Sequence, residues 1–395
     1  MNFDDQLKKF NDDYKKIKHK IKVGIKKNML VFGSGGSSNL IILNDNYVLK
    51  IIPKFINKNL KRQNNNDELE ADYYRTFTNE FVLKNKTPHF VGLFKKYILE
   101  DIKFIFPNKC ISLDEKISLP FEKRDYNIDT LCDLKKCYYR QTLEKKASVL
   151  VLENCPTTID EQIGNILKSK NKADISHKFV QIIRRVIFQI IFTLSLIQEI
   201  YPDFIHNDLF LRNILAVNDN SYDPDDYIQY NFKGSLYYLP ANGIYVKIND
   251  FGYSLNINNK ISSLTDTINN NPLINFELKN NKRDIYSFLY DLYDGFGLGS
   301  KSIIKLLNLH VRNKDNRKKL LSLARKEIGK FLDYKTIDKL NKKNKNIIDW
   351  VWSIGESKIL MNTIKKPNEY FKTNSFDSYT KLPDNGRIVK MYNSI

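Results

Sequence analysis

Between Phe179 and Ile200 the chain is oily enough to form one long buried helix, yet Arg184, Arg185, Gln189, Gln198 and Glu199 interrupt it. A bilayer span needs about 20 nearly uninterrupted apolar residues, so this stretch predicts the core helix of a folded domain and no membrane span. Directly after it comes Phe204-Ile205, then a polar run, His206-Asn207-Asp208-Leu209-Phe210-Leu211-Arg212-Asn213, closed by apolar Ile214-Leu215. Asp208 and Asn213, five residues apart on one loop, can hold a hydroxyl and a metal side by side.

At 395 residues the chain exceeds the roughly 250–300 at which a single core stops growing, so two lobes are expected. Its 42% apolar and 28% charged residues are those of a soluble folded protein. Met1–Asp5 reads as neither a signal peptide nor a myristoylation site. Residues 1–20 are a charged stretch that carries Phe3, Leu7, Phe10, Tyr14 and Ile17 at the spacing of one helical face. Strands are predicted at Met29–Phe32, Leu40–Leu43, Tyr47–Ile52 (closed by Pro53), Phe90–Ile98 and Ser148–Leu152, with a helix over Asp67–Phe81. Beyond Glu153 helices dominate: about 161–167, 176–200, 284–293, 302–309, 317–331 and 345–352. A β-rich first part and an α-rich second part imply an α+β fold of two lobes with a cleft between them.

The formal charge is 64 − 45 = +19, but only 12 of the 64 basic residues are arginine. Nucleic-acid readers favour Arg for bidentate contacts, so the lysine-rich balance fits an A+T-biased genome better than a nucleic-acid partner. The basic run Lys314–Lys345 reads as a solvated helical face that leaves docking to an acidic protein partner open. Cys110, Cys132, Cys137 and Cys155 form no C-x-x-C pair and no cluster with the five histidines, so neither a zinc site nor a disulfide framework is expected. The default compartment is reducing and intracellular.

Two further constellations accompany the polar loop. Gly33-Ser34-Gly35-Gly36 lies between two strands, with Lys50 on a strand 14 residues after Gly36. Glycines let backbone N–H groups approach phosphate oxygens, although a glycine hairpin alone is also an ordinary turn. Tyr245-Val246-Lys247-Ile248-Asn249-Asp250-Phe251-Gly252 is a strand ending in an acid and a glycine, where the Asp is a natural metal ligand or a turn former.

In this order the three constellations closely resemble the protein-kinase family: glycine loop, strand lysine, H-R-D-x-x-x-x-N and D-F-G, over about residues 25–295. The resemblance implies a bilobal fold, with a small antiparallel β-sheet N-lobe plus one helix and a larger, mainly α-helical C-lobe. It divides the chain into an extension (1–21), an N-lobe (22–152, insertion about 99–147) and a C-lobe (153–395, insertion about 218–242, divergent helices from about 300). It further implies that ATP and Mg²⁺ are the cofactors. Gly33, Ser34, Gly35 and Gly36 would cover the phosphates, and Lys50 would bind them. Glu70 would pair with Lys50, with Glu68 the runner-up. Backbone groups of Glu153 and Cys155 would receive the adenine. Asp208 would act on the attacking hydroxyl, and Asn213 and Asp250 would hold Mg²⁺. His206 is expected to pack beneath Asp250, and Asp284 to brace the loop.

The chain also departs from the family. Asn207 replaces the Arg that usually meets a phosphorylated activation loop, so no loop phosphorylation is expected to be needed. Ser38 takes the place of the third loop glycine, Phe210 that of a lysine usual in Ser/Thr kinases, and no A-P-E follows D-F-G, where Asn270-Asn271-Pro272 stands. Arg212 matches a position used by many tyrosine kinases; it would sit near the γ-phosphate or lie on the surface. The segment 218–242, with Asp219, Asp223, Asp225 and Asp226, reads as an inserted acidic loop. Composition and the H-N-D variant resemble divergent kinases of large DNA viruses. The leading function is ATP-dependent phosphorylation of protein Ser/Thr hydroxyls, in the cytoplasm (the host's, or in the virion, if viral). An inactive kinase-like scaffold and a kinase-like small-molecule phosphotransferase are the alternatives; retention of Lys50, Glu70, Asp208, Asn213 and Asp250 disfavours the first, while the missing A-P-E favours the second and the intact D-F-G and glycine loop favour the protein kinase.

Overall fold

A computed structural model describes residues 3–24, 39–42, 47–56, 66–103, 126–169, 172–255, 282–294, 301–336 and 364–393. The glycine loop Gly33, Ser34, Gly35 and Gly36, the predicted strand 29–32, most of the segment after D-F-G (256–281) and the predicted helix 345–352 lie outside these residues. The chain forms two compact units: Met1–Thr78 with Val91–Asn154, and Asn79–Phe90 with Cys155–Ile395.

The first unit runs α1 (Phe3–Gly24), β1 (Asn39–Ile42), β2 (Tyr47–Phe55), α2 (Asn66–Phe77), β3 (Leu93–Leu99), α3 (Tyr126–Tyr139) and β4 (Leu143–Glu153). Its four described strands are antiparallel throughout, in the order β1-β2-β4-β3. β4 is central and nearly all apolar from Val149 to Leu152, and all four side chains are buried. β2 runs through Pro53 instead of stopping there: among the described residues its pairing with β1 reaches Ile51, and Pro53 is paired with β4 alone, opposite Ala147. A residue without an N–H is tolerated where a strand has one neighbour. Helix α1 belongs to this unit and does not stand apart as an extension. Phe3 stacks on Phe94 at 4.8 Å and Phe10 meets Tyr47 edge-on at 5.3 Å, so Phe3 and Phe10 of the apolar stripe read from the sequence are buried in this unit. Among the described residues α1 and α3 accompany the expected helix α2, α3 lying within the predicted insertion. Cys132 on α3 is disulfide-bonded, while Cys137 and Cys155 are free. Spacing along the sequence cannot reveal a pairing that depends on where the fold carries each cysteine.

The second unit runs β5 (Thr157–Thr158), α4 (Ile159–Lys168), α5 (Lys172–Ile200), β6 (Ile214–Asp219), β7 (Asp226–Phe232), β8 (Ser235–Pro240), β9 (Gly243–Ile248), α6 (Arg283–Tyr293), α7 (Ile303–His310), α8 (Lys314–Ile328) and β10 (Arg387–Asn393). Helix α5 is long and apolar enough to cross a membrane, yet 78% of that stretch is buried against its own unit. The polar residues that break its oiliness are struts. Arg184 forks onto Glu327 of α8 (2.8 and 2.6 Å). Arg185 donates to the carbonyls of Asn242 and Ile244 (2.6 and 2.7 Å), and Gln189 both donates to Ile244 and accepts the Val246 N–H (3.0 and 2.9 Å). Gly243, at φ +114°, lets the chain turn beside Arg185 where a β-carbon would be strained.

Residues 79–90 belong here rather than with the first unit. The His89 carbonyl accepts the Ile248 N–H (2.9 Å), and its ring lies between the Val246 carbonyl and the Tyr230 hydroxyl (3.0 and 3.1 Å). Burial pushes the His89 pKa down to about 3, which keeps the ring neutral. The predicted acidic loop is also ordered differently. β7 and β8 form a hairpin through Lys233-Gly234, both at positive φ, and β10 adds to β7 as a parallel edge strand. Asp223 and Asp226 accept Arg387, and Asp225 accepts Asn385, so these acids clamp the last strand.

Candidate active site

In the first unit, Lys50 sits in the middle of β2, paired with Leu40 and Leu150 on either side. Its ammonium lies 2.5 Å from Oε1 of Glu70 on α2, and both side chains are almost completely buried. The structure therefore brings together the strand lysine and the predicted acid; the Glu68 side chain lies outside the described set. Glu153 closes β4 as a clamp. Its N–H donates to the Gly92 carbonyl (2.9 Å) and its carboxylate accepts the Gly92 N–H (3.2 Å). Cys155, two residues on, opens the second unit's main segment.

In the second unit the strand pair β6 and β9 positions the chemistry. Ile214 faces Ile248 in register, and the Asn249 N–H donates to the Asn213 carbonyl (3.0 Å). Asn213 and Asp250 therefore leave neighbouring strand ends. The Asn213 amide donates to both the carbonyl and the Oδ2 of Asp208 (2.8 and 2.7 Å). Both partners are acceptors, which identifies the donating atom as nitrogen and leaves Oδ1 of Asn213 for a cation. Arg212 donates to the other oxygen of Asp208 (2.5 Å) while its guanidinium lies over the Phe210 ring at 4.7 Å. It is thus neither idle nor remote: it restrains the carboxylate at the centre of the loop.

His206 is fully buried beneath this loop. Its Nδ1 accepts the Asp208 N–H (3.3 Å), so Nε2 carries the proton and donates to the Asn249 carbonyl (3.0 Å). Its ring also packs on Phe251 (5.2 Å), so it holds both neighbours of Asp250. Asn207 and Asp250 have φ of +66° and +64°, a left-handed backbone that Asn and Asp tolerate better than most residues. The strain at Asn207 is held by Asp284 on α6, whose carboxylate accepts the N–H groups of His206 and Asn207 (2.7 and 2.9 Å). Burial raises the Asp284 pKa, against the pull of His206 and of these N–H donors. A second brace escaped the sequence reading: Asp291, fully buried, accepts the Leu211 N–H (2.7 Å). It follows Asp284 by two helical turns on the same face, a spacing that could have flagged it.

Among the described residues no three His, Cys, Asp or Glu side chains converge on a metal position. Two oxygen donors at adjoining strand ends still suit Mg²⁺, which is commonly held by one or two carboxylate or amide oxygens plus substrate phosphates.

No profile of a known protein family matches the sequence. A protein of Acanthamoeba polyphaga mimivirus, named as a putative serine/threonine-protein kinase, is 33% identical over 100% of this chain and 99% of its own length. A second mimivirus protein of the same description is 30% identical over 44% of this chain and 34% of its own length. Among solved structures, the BubR1 kinase domain (TM-score 0.36, 76% of this chain and 78% of that one) and WaaP in complex with acyl carrier protein (0.31, 78% and 91%) are each 10% identical. The full-length match shows that the chain belongs to the protein-kinase family, in company with kinases of a large DNA virus, as its motifs imply.

Proposed function

We propose that this chain transfers the γ-phosphate of ATP to Ser or Thr hydroxyls of protein substrates. The observation that carries the reading is the loop in which Asn213 grips both the carbonyl and the carboxylate of Asp208 while strand pairing sets Asp250 beside Asn213. Asp208 accepts the proton of the attacking hydroxyl as the new O–P bond forms and the β,γ-bridging P–O bond breaks, releasing ADP. Each carboxylate oxygen has two lone-pair sites, so bonds from Arg212 and Asn213 leave room for that proton. Oxygens of Asn213 and Asp250 would hold Mg²⁺, which when bound supplies positive charge against that developing on the phosphates. Lys50, oriented by Glu70, would neutralise the nontransferred phosphates; Gly33, Ser34, Gly35 and Gly36 would cover them, and backbone groups of Glu153 and Cys155 would receive the adenine. The need for ATP places its action inside a cell or a virion, most simply in host cytoplasm. Support for the Ser/Thr acceptor comes from the naming of both mimivirus relatives.

The test is incubation with Mg·ATP carrying labelled γ-phosphate and generic protein acceptors. Asp208→Ala and Asp250→Ala are each expected to lower transfer by about 10²-fold or more, and phosphoamino-acid analysis to show phosphoserine or phosphothreonine. Transfer untouched by both substitutions would refute the assignment. Nucleotide binding without transfer to any protein would shift it to a scaffold, and transfer only to small alcohols to a small-molecule phosphotransferase.

A further inference from the structure

At the far end of α8 a charged cavity lies outside everything the phosphoryl-transfer reading uses. The helix stops at Ile328, and Gly329–Lys335 fold back beside Lys365 and Tyr370 around a space of about 490 Å³. Arg325, Lys326, Lys330, Lys335 and Lys365 line it against one acid, Asp333. That acid is engaged. Thr336 donates its hydroxyl and its N–H to the Asp333 carboxylate (2.6 and 3.2 Å), and these bonds hold the carboxyl below its ordinary pKa. Lys330 pairs with Glu327 (2.9 Å), but Lys326 and Lys365 have no acidic partner among the described residues.

The walls are fixed. Arg325 donates to the Tyr293 hydroxyl (2.9 Å) and lies 5.5 Å from the Tyr334 ring centre. The Tyr370 hydroxyl donates to the Phe331 carbonyl (2.9 Å) and accepts the Lys365 N–H (3.1 Å), tying the rim to the floor. A β-carbon on Gly329 would fall 2.6 Å from the Arg325 carbonyl oxygen and 3.0 Å from the Tyr334 ring, so glycine is what lets the backbone and that ring approach so closely.

We propose that this cavity binds a phosphorylated side chain of an acidic protein segment. Like charges gathered around one cavity repel one another until an anion joins them, and a phosphate monoester brings close to two charges and three acceptor oxygens. The volume lies in the roughly 300–1,000 Å³ range of small-ligand sites, room for one phosphorylated residue and its neighbours. A nucleic-acid backbone repeats its charge every few ångströms and calls for a long basic stripe, whereas these basic residues line one cavity of single-residue size. Only one of the five is arginine, and its guanidinium is already committed to tyrosines.

Binding to this cavity needs no phosphoryl transfer, so the full chain is tested without nucleotide. Fluorescence anisotropy would compare a labelled acidic peptide carrying one phosphoserine, its unphosphorylated twin, and a short single-stranded RNA, with inorganic phosphate as competitor. The phosphopeptide is expected to bind at least about tenfold more tightly than the twin, and phosphate to displace it. Lys326→Glu with Lys365→Glu should erase that preference, and the milder Lys326→Gln with Lys365→Gln should weaken it in the same direction, in case charge reversal perturbs folding. Lys314→Glu with Lys318→Glu, exposed on α8 away from the cavity, and Asp208→Ala should leave it intact. Equal binding of the two peptides, indifference to both cavity variants, loss of binding in Asp208→Ala, or tighter binding of RNA would each overturn the proposal.

Discussion

Lys50 and Glu70 show how much one residue pair is asked to bear. Both are nearly excluded from water, and removing one partner of a buried pair leaves an uncompensated charge at a typical cost of about 3–5 kcal/mol, while exchanging both for apolar residues is often neutral. Glu70→Leu is therefore expected to lower the unfolding free energy measured by urea denaturation by an amount in that range, and Lys50→Met combined with Glu70→Leu to recover most of it. Phosphoryl transfer should stay lost in the double variant, since the lysine's proposed work on phosphate goes with it. A double variant no more stable than Glu70→Leu would mean that the pair's neighbours, not its charges, set the cost. At this scale the site was legible in part. Lys50, Glu70, Asp208 and Asn213 announce themselves because their spacing is fixed within a loop or between adjacent elements. Arg212 on Asp208, Asp291 on the Leu211 N–H and the Glu153–Gly92 clamp depend on which backbone groups the fold delivers, and no local spacing records that.

Elements were read well where a period was strong and poorly where charge disguised it. The stripe Phe3, Phe10, Tyr14 gave away α1, and the oil of α5 gave away the core helix. The hairpin β7–β8 was hidden because Asp219, Asp223, Asp225 and Asp226 dominate its approach, although alternation over Asp226–Phe232 and the Lys233-Gly234 turn carry a hairpin signature. Nor could the sequence say that α1 would be seated in the first unit, because that rests on Gly92. A β-carbon there would fall 1.9 Å from the Phe3 ring, too close for any adjustment short of moving the ring. Gly92→Ala is thus expected to displace Phe3 from Phe94 and to cost about 1–3 kcal/mol by overpacking. In a Phe3→Ala background the same change should cost markedly less, because the clashing ring is gone. Urea unfolding of the four proteins of this cycle measures the difference; strictly additive costs would show that α1 is not seated through this contact.

At the scale of the whole molecule, β10 closes the second unit by reaching back to β7, and Arg387 and Asp226, which it joins, are 161 residues apart in sequence. The closure has three parts. Arg387 donates to Asp226 (3.0 and 2.7 Å) and Asp223 (2.6 Å), its N–H donates to the Asp225 carbonyl (2.8 Å), and Tyr392 covers Tyr230 at 5.3 Å. The Asp226 carboxylate is buried, so losing Arg387 leaves it poorly compensated, whereas the arginine itself is mostly exposed. Tyr230 also touches His89, Phe188 and Phe192, which makes it a joint between the hairpin, the 79–90 segment and α5. A variant ending at Asp384 removes Arg387 and Tyr392 together and strips β7 of a neighbour. Its β7 amides, Tyr227 to Phe232, are expected to lose hydrogen-exchange protection and the protein to bind a hydrophobic dye, while β2 and β4 keep their protection. Arg387→Ala should loosen the same amides to a smaller degree, because Tyr392 and the parallel ladder remain. Unchanged exchange in β7 after truncation would mean that the hairpin is held by α5 and its aromatic neighbours alone, and that the last strand merely rests on it.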